Sequence, residues 1–161
     1  MYKVKSFSDE TTYSLAFRLA QKLKGSELIA LEGALGAGKT LFVKGLAAGL
    51  GARDPVTSPT FMLLHLYEGR LMLAHFDVYR LSTPEAIEEL GYEEYFYGQG
   101  VTAVEWSNLI QAYLPEEHLL VRIKRLDDPE HGEGRLIELV PYGKTIEALV
   151  EELMKDDSSR D

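Results

Sequence analysis

The spacing of apolar residues along the chain predicts four helices. The clearest follows Ser8-Asp9-Glu10, an N-cap with an acidic first turn, and places apolar side chains three or four residues apart until Gly25 can end it. Thr83-Pro84-Glu85 has the composition of another helix start, with proline at the first helical position. The predicted helices lie between Ser8 and Gly25, from Leu41 to Leu50, from Thr83 to Leu90, which Gly91 follows, and from Thr145 to Met154.

Short apolar or alternating runs predict strands between these helices. Glu68-Gly69 separates two such runs and indicates a hairpin. A second antiparallel pair surrounds the polar stretch Asp127 to Gly134, which we interpret as a loop. The predicted strands are residues 28–31, 61–67, 70–76, 101–104, 119–124 and 135–140.

The segment Gly33-Ala34-Leu35-Gly36-Ala37-Gly38-Lys39-Thr40 directly follows the first predicted strand and satisfies the pattern G-x-x-x-x-G-K-[ST]. Its glycines allow backbone N–H groups to point inward as an anion nest, and a helix opening at Lys39 adds its positive end. Lys39 would contact the β- and γ-phosphates of a triphosphate, and the Thr40 hydroxyl would supply one oxygen to Mg²⁺. The alternative is a glycine-rich turn without a ligand.

Two carboxylates follow predicted strands and extend this candidate site. Asp77 ends the strand of the hairpin and Glu105 ends the strand 101–104, so the two could converge on one metal ion from neighbouring strands. We interpret His75 as a packed histidine, which is commoner than a ligand. Trp106 is either core filler or a contact on the ligand or partner side.

Three further segments have open interpretations. Val56 to Phe61 combines hydroxyl groups with Pro59, which is typical of either a γ-phosphate-sensing loop or a simple Ser-Pro turn. The Thr11-Thr12 pair on the first helix either faces the nucleotide or consists of inert exposed threonines. Five glutamates between Glu85 and Glu94 form either a solvated face or a docking surface for a basic partner.

Length and composition restrict the class of protein. With 161 residues and 45% hydrophobic content we expect a single domain over residues 1–155, followed by a disordered polar tail at 156–161. The sequence contains no cysteine, no apolar run as long as a membrane span and no apolar leader segment, so we predict a cytoplasmic protein. The formal net charge of −9 argues against autonomous nucleic-acid binding, and we expect any nucleic acid to be held by a partner.

The motifs L-G-A-G-K-T, V-T-S-P-T-F, H-F-D-V-Y-R-L and V-E-W, in this order between Ser8 and Tyr142, resemble those of the TsaE (YjeE) family of bacterial P-loop ATPases. The resemblance implies an α/β, three-layer P-loop NTPase fold with a mainly parallel central sheet and antiparallel edge strands. It also implies an ATPase that is slow alone and supports threonylcarbamoyl modification of tRNA adenosine with TsaB-like and TsaD-like partners, tRNA being contacted only through them.

The same resemblance assigns residues to the site. It implies ATP at the P-loop, Mg²⁺ held through Thr40 and Glu105, an important acidic residue at Asp77 and a characteristic tryptophan at Trp106. We expect Asp77, Glu105 and Lys39 to act in catalysis, and Asp77 to assist at the metal. The nucleotide contacts expected are Gly33, Gly36, Ala37, Gly38, Lys39, Thr40 and Leu41, with Thr12, Thr60 and Arg135 in addition.

Two positions depart from the family pattern. Ala34 stands where aspartate is usual, and Ser107 stands where proline is common. Neither position supplies a phosphate donor group, so we expect altered loop details and retained binding.

Two other functions compete with this interpretation. Asp77-Val78-Tyr79-Arg80 resembles clusters that hold a nucleoside acceptor in small-molecule kinases, although we see no insert for the arginine-bearing lid that a kinase closes over the phosphates. A GTPase is disfavoured because the sequence has no N-K-x-D-like guanine motif.

Overall fold

Seven strands form one sheet in the order β1-β7-β6-β2-β5-β4-β3. The computed structural model describes residues 1–56 and 63–158. The strands are β1 (Tyr2–Ser6), β2 (Leu28–Gly33), β3 (Leu64–Tyr67), β4 (Leu73–Asp77), β5 (Val101–Glu105), β6 (His118–Asp128) and β7 (Gly132–Tyr142). The helices are α1 (Asp9–Lys22), α2 (Lys39–Gly49), α3 (Tyr92–Phe96) and α4 (Lys144–Ser158), with 3₁₀ helices at Pro84–Leu90 and Ser107–Tyr113.

The four central strands, β6, β2, β5 and β4, are parallel, whereas β3 on one edge and β7 with β1 on the other pair antiparallel. This arrangement confirms the predicted α/β fold class. It also brings the carboxyl ends of β2, β4 and β5 to one edge of the sheet, where ligands bind in open α/β folds.

Helices cover both faces of the sheet and produce three layers. The side of α1, α2 and α4 contains one apolar core, and the side of the two 3₁₀ helices and α3 contains another. Strand β2 supplies both, because Ile29 and Leu31 pack in the first core while Leu28 and Ala30 pack in the second. The unbroken apolar run of β2 thus follows from its burial on both faces.

Helix α1 begins where the sequence predicted, because the Ser8 hydroxyl accepts a hydrogen bond from the Thr11 backbone N–H at 3.1 Å. Its apolar face packs on α2, where Gly45 allows a close approach. A Cβ atom at Gly45 would lie 2.5 Å from the Tyr13 carbonyl oxygen and 2.7 Å from Ala16 Cβ. The contact between these helices fixes the helix that follows the P-loop.

Several predicted boundaries were wrong. The polar stretch 127–134 is not a simple loop, because β6 and β7 remain paired through Asp127↔Glu133 and Asp128↔Gly132. The turn of the β3–β4 hairpin is longer than Glu68-Gly69, since β4 begins at Leu73. The sequence analysis also missed β1, α3 and the 3₁₀ helix that follows Trp106.

Helix α4 continues to Ser158, beyond its predicted end at Met154. Lys22 of α1 forms ion pairs with Asp156 and, at 3.6 Å, with Glu152, which ties this extension to the first helix. The polar tail therefore does not begin at residue 156. Disorder at residues 159–161 stays a prediction, because those residues lie outside the described part of the chain.

Two surface properties bear on function. The five glutamates from Glu85 to Glu94 are all exposed, as either a solvated face or a docking surface requires. Within residues 1–56 and 63–158, no helix combines the length and the apolar character needed to cross a membrane.

Candidate functional site

The P-loop connects the carboxyl end of β2 to the first turn of α2. Gly38 is the N-cap of α2 and has φ 121°, a left-handed conformation that favours glycine. No side chain from residues 1–56 or 63–158 caps this helix start. Among these residues the first N–H groups of α2 therefore have no side-chain acceptor, which is the arrangement that suits an anion at a helix N-terminus.

Lys39 lies in a largely buried environment and folds back over the loop. Its ammonium group donates to the carbonyl oxygens of Gly33 at 2.5 Å and Ala34 at 2.9 Å. Burial lowers the pKa of Lys39, and the negative charges of Glu105 and Asp77 oppose that shift. The nearby carboxylates thus favour the charged form that a phosphate would attract.

Thr40 and Glu105 are in direct contact, although they are far apart in the sequence. The Thr40 hydroxyl donates to Glu105 Oε1 at 2.9 Å and to Oε2 at 3.2 Å. Glu105 is only 3% exposed, and it ends β5 beside the first turn of α2. Since a hydroxyl has one proton and two lone pairs, Thr40 keeps a lone pair available for a metal ion.

His75 provides the second partner of Glu105. It is fully buried in β4, and its Nε2 atom lies 2.6 Å from Glu105 Oε2. The packed histidine expected from the sequence is thus also a hydrogen-bond partner in the site. Sequence analysis missed this contact because it depends on how β4 and β5 align.

Asp77 and Glu105 lie side by side, as the sequence led us to expect, because they are register partners on the parallel strands β4 and β5. Asp77 accepts a hydrogen bond from the Tyr79 backbone N–H at 3.2 Å. Burial raises the pKa of Asp77, the Tyr79 bond opposes the shift, and the charge of Glu105 adds to it. The two carboxylates therefore have different environments within one site.

Trp106 follows Glu105 in a left-handed backbone conformation, with φ 62°. A non-glycine residue in this region costs on the order of 1 kcal/mol, and such residues concentrate at functional sites. The indole lies 4.0 Å from Lys39 Nζ and 4.6 Å from the Tyr79 ring, measured to its centroid. Trp106 also packs against the second core. Trp106 thus packs in the core and also lies beside Lys39, while its contact with a ligand or partner stays a prediction.

Two cavities flank the P-loop. On one side, a cavity of about 380 Å³ contains the two carboxylates, Lys39, Thr40 and Trp106. On the other, a cavity of about 330 Å³ lies between the P-loop, the β1–α1 connection and the start of β7. Gly36, Gly38 and Leu41 line both cavities, and Ala37 lines the second.

Thr12 and Arg135 both lie in the second cavity. The Arg135 guanidinium donates through Nε to the Ala37 carbonyl oxygen at 2.9 Å. Thr12 is buried, and its hydroxyl lies 2.7 Å from Ser6 Oγ, so it is not the inert exposed threonine considered from the sequence. Sequence analysis missed Ser6 because it did not predict β1.

One predicted part of the site lies outside the described residues. Residues 57–62 include Thr60 and most of the candidate sensing segment Val56 to Phe61. Val56 itself is buried against the first core. A sensing role for this segment and a nucleotide contact by Thr60 therefore stay predictions.

The chemistry of the donor set fits Mg²⁺. Thr40, Glu105 and Asp77 present only oxygen atoms, which this hard cation prefers. Among residues 1–56 and 63–158, no cluster of three or more His, Cys, Asp or Glu side chains is arranged to hold a metal ion. A magnesium ion here would thus take its other oxygens from phosphate and water, as Mg²⁺ does in nucleotide sites.

The chain is similar to known proteins over most of its length. Residues 6–134 match the family model described as "Threonylcarbamoyl adenosine biosynthesis protein TsaE". A relative from Bacillus subtilis (strain 168), named tRNA threonylcarbamoyladenosine biosynthesis protein TsaE, is 44% identical over 157 residues, covering 97% of this chain and 96% of the relative. A relative of the same name from Treponema pallidum (strain Nichols) is 47% identical over 106 residues, covering 66% and 78%. The crystal structure of YdiB from Bacillus subtilis is similar with a TM-score of 0.81 and 41% identity, covering 97% of this chain and 95% of that one.

Proposed function

Because the chain belongs to the TsaE family of threonylcarbamoyl adenosine biosynthesis proteins, we propose that it binds and hydrolyses ATP with Mg²⁺ in support of the threonylcarbamoylation of tRNA adenosine. The observation that carries this proposal is the single cavity that unites Lys39 and Thr40 of the P-loop with Asp77 and Glu105. P-loop NTPases use a lysine, a hydroxyl and a carboxylate to hold the phosphates and Mg²⁺, and this cavity contains all three kinds of side chain.

Each of these residues has a distinct task. Lys39 exchanges its two carbonyl acceptors for phosphate oxygens, which attract an ammonium more strongly because they are charged. Thr40 and Glu105 hold the metal side of the site, where a bound Mg²⁺ would neutralise phosphate charge. Asp77, whose pKa is raised by burial, orients water, either free or on the metal.

The partners in this proposal are a TsaD-like protein, which carries out the transfer to adenosine, and a TsaB-like protein. The net charge of −9 argues against a broad basic surface for tRNA. The contribution of this chain is therefore regulatory or mechanical: ATP turnover changes how the partner complex works, and tRNA is contacted only through that complex.

The deciding experiment measures ADP release with ATP alone, with candidate nucleosides and with a TsaB–TsaD complex. We expect slow release alone, no stimulation by nucleosides and clear stimulation by the complex. Release that depends on a nucleoside would instead identify a small-molecule kinase.

A matched pair of lysine variants links this activity to the P-loop. Lys39→Ala removes the buried ammonium directed at the phosphates, so we expect ATP binding to be lost in calorimetry with Mg²⁺ present. Lys144→Ala removes an exposed lysine at the start of α4 and should bind normally. Near-normal ATP affinity in Lys39→Ala would contradict the proposal.

A further inference from the structure

His75 lies at one end of a hydrogen-bonded chain of side chains that runs through Glu105 to Thr40 at the start of α2. Its Nε2 atom lies 2.6 Å from Glu105 Oε2, and the Thr40 hydroxyl donates to Glu105 Oε1 at 2.9 Å. β4, β5 and α2 are thereby joined in sequence by hydrogen bonds. Glu105 has a donor on each of its two oxygens, so its carboxylate group has little freedom to rotate.

The chemistry of the pair determines which atom donates. An ionised carboxylate only accepts hydrogen bonds, so the proton of this short contact belongs to His75 Nε2. The other ring nitrogen, Nδ1, is buried and has no hydrogen-bond partner within the described part of the chain. Among the residues that the structure describes, Glu105 is thus the hydrogen-bond partner of the His75 ring.

Packing in the core does not by itself explain why position 75 is a histidine. Burying a ring nitrogen without a partner costs free energy, whereas an apolar side chain of similar size would fill the same space without that cost. The neighbours of His75 along β4, Ala74 and Phe76, are buried apolar residues. The histidine is therefore explained by the carboxylate that it contacts.

We propose that His75 is a positioning residue, which fixes the Glu105 carboxylate so that Thr40 presents a lone pair to Mg²⁺. This inference rests on the proposed function, because it assigns His75 a part in the metal side of that same site. Partners that orient a metal site from outside the ligand shell commonly change metal affinity by about 10–100-fold when they are removed.

Three substitutions distinguish the hydrogen bond donated by His75 from the volume that its side chain occupies. His75→Leu removes both ring nitrogens and retains an apolar body. His75→Gln can place an amide N–H near the former Nε2 position, whereas His75→Asn has a shorter side chain whose amide corresponds to Nδ1. His65→Leu is the matched control, because His65 is the register partner of His75 on β3.

The readout is the affinity for a non-hydrolysable ATP analogue, measured by calorimetry with Mg²⁺ and with chelator, alongside thermal unfolding. We expect Mg²⁺ to strengthen binding in the unmodified protein, and His75→Leu and His75→Asn to reduce that gain about 10-fold or more. His75→Gln and His65→Leu should keep most of the gain. Affinity in chelator should be unchanged in all variants, because the phosphate-binding loop is intact.

Every other result contradicts either the positioning role, the donor argument or the proposed function. If folded His75→Leu and His75→Asn keep the full Mg²⁺ gain, the positioning role is wrong. If His75→Gln loses as much as His75→Asn, the site needs the imidazole shape, and the donor argument is wrong. Should His75→Leu fail to fold, the comparison of His75→Gln with His75→Asn decides alone. An analogue that does not bind the unmodified protein at all would refute the proposed function itself.

Discussion

Asp77 and Glu105 end neighbouring strands side by side, yet their surroundings differ. Glu105 is almost completely buried and contacts Thr40 and His75, whereas Asp77 is half-buried and accepts a backbone N–H from Tyr79. A carboxylate held by two donors is suited to orienting a metal site. One with a raised pKa and access to a cavity beside the P-loop is suited to proton transfer or to holding water.

At the residue scale we therefore expect different defects from two isosteric changes. Glu105→Gln replaces an acceptor-only group with an amide that has one acceptor oxygen, so Mg²⁺-dependent nucleotide binding should weaken by about 10–100-fold. Asp77→Asn should retain binding and lower ATP turnover with TsaB–TsaD by about 100-fold. Calorimetry and ADP release measure the two effects, and thermal unfolding checks the fold. Normal turnover in either variant would make that residue structural.

At the scale of elements, the contact between α1 and α2 fixes the position of the helix that follows the P-loop. Gly45 lies where the two helices approach closely, and an added Cβ would meet the Tyr13 carbonyl oxygen at 2.5 Å. Intrinsic propensity favours alanine over glycine in a helix by about 1 kcal/mol, but overpacking a tight contact costs about 1–3 kcal/mol. The cost of overpacking should therefore exceed the gain in helix propensity, and a substitution of Gly45 by alanine should destabilise the protein.

We expect Gly45→Ala to lower the free energy of unfolding, measured in urea, although alanine is the better helix former. The backbone carbonyl of Tyr13 has little room to move, so α1 must shift away from α2. Lys44→Ala on the same helix is the control and should change stability by less than about 0.5 kcal/mol, because Lys44 is exposed. A more stable Gly45→Ala protein would show that the helices separate at little cost.

Elements with a strong pattern were predictable, and those defined by pairing were not. α1 has a cap, an apolar stripe and a glycine after it, so its place follows from local chemistry. β1 is only five residues long and is defined by its pairing with β7, a contact between opposite ends of the chain. The site shows the same division. The P-loop spacing predicts Lys39 and Thr40, whereas the bond of His75 to Glu105 depends on strand register.

The molecule as a whole is small and acidic. A net charge of −9 on 161 residues supports the proposal that it acts on tRNA through other proteins. If a TsaB–TsaD-like complex binds preferentially to the ATP-loaded protein, thermodynamic reciprocity requires that complex to tighten ATP binding by the same factor.

This reciprocity gives the prediction for the assembly. ATP affinity measured with the complex should exceed that measured without it by about 5–150-fold, the usual range of coupling between sites. tRNA threonylcarbamoylation should stop after few turnovers when the protein is omitted. Unchanged ATP affinity, together with full multiple-turnover modification in its absence, would refute the regulatory role.

Trp106 has one more consequence, because it is the only tryptophan in the sequence and lies 4.0 Å from Lys39 Nζ. All indole fluorescence of the protein thus originates beside the ammonium group that phosphate would draw away. Emission should change in intensity or wavelength as nucleotide is added, and the titration should yield the same affinity as calorimetry. Lys39→Ala should abolish the change, whereas Lys144→Ala should retain it, so the protein carries an intrinsic optical probe of its own P-loop.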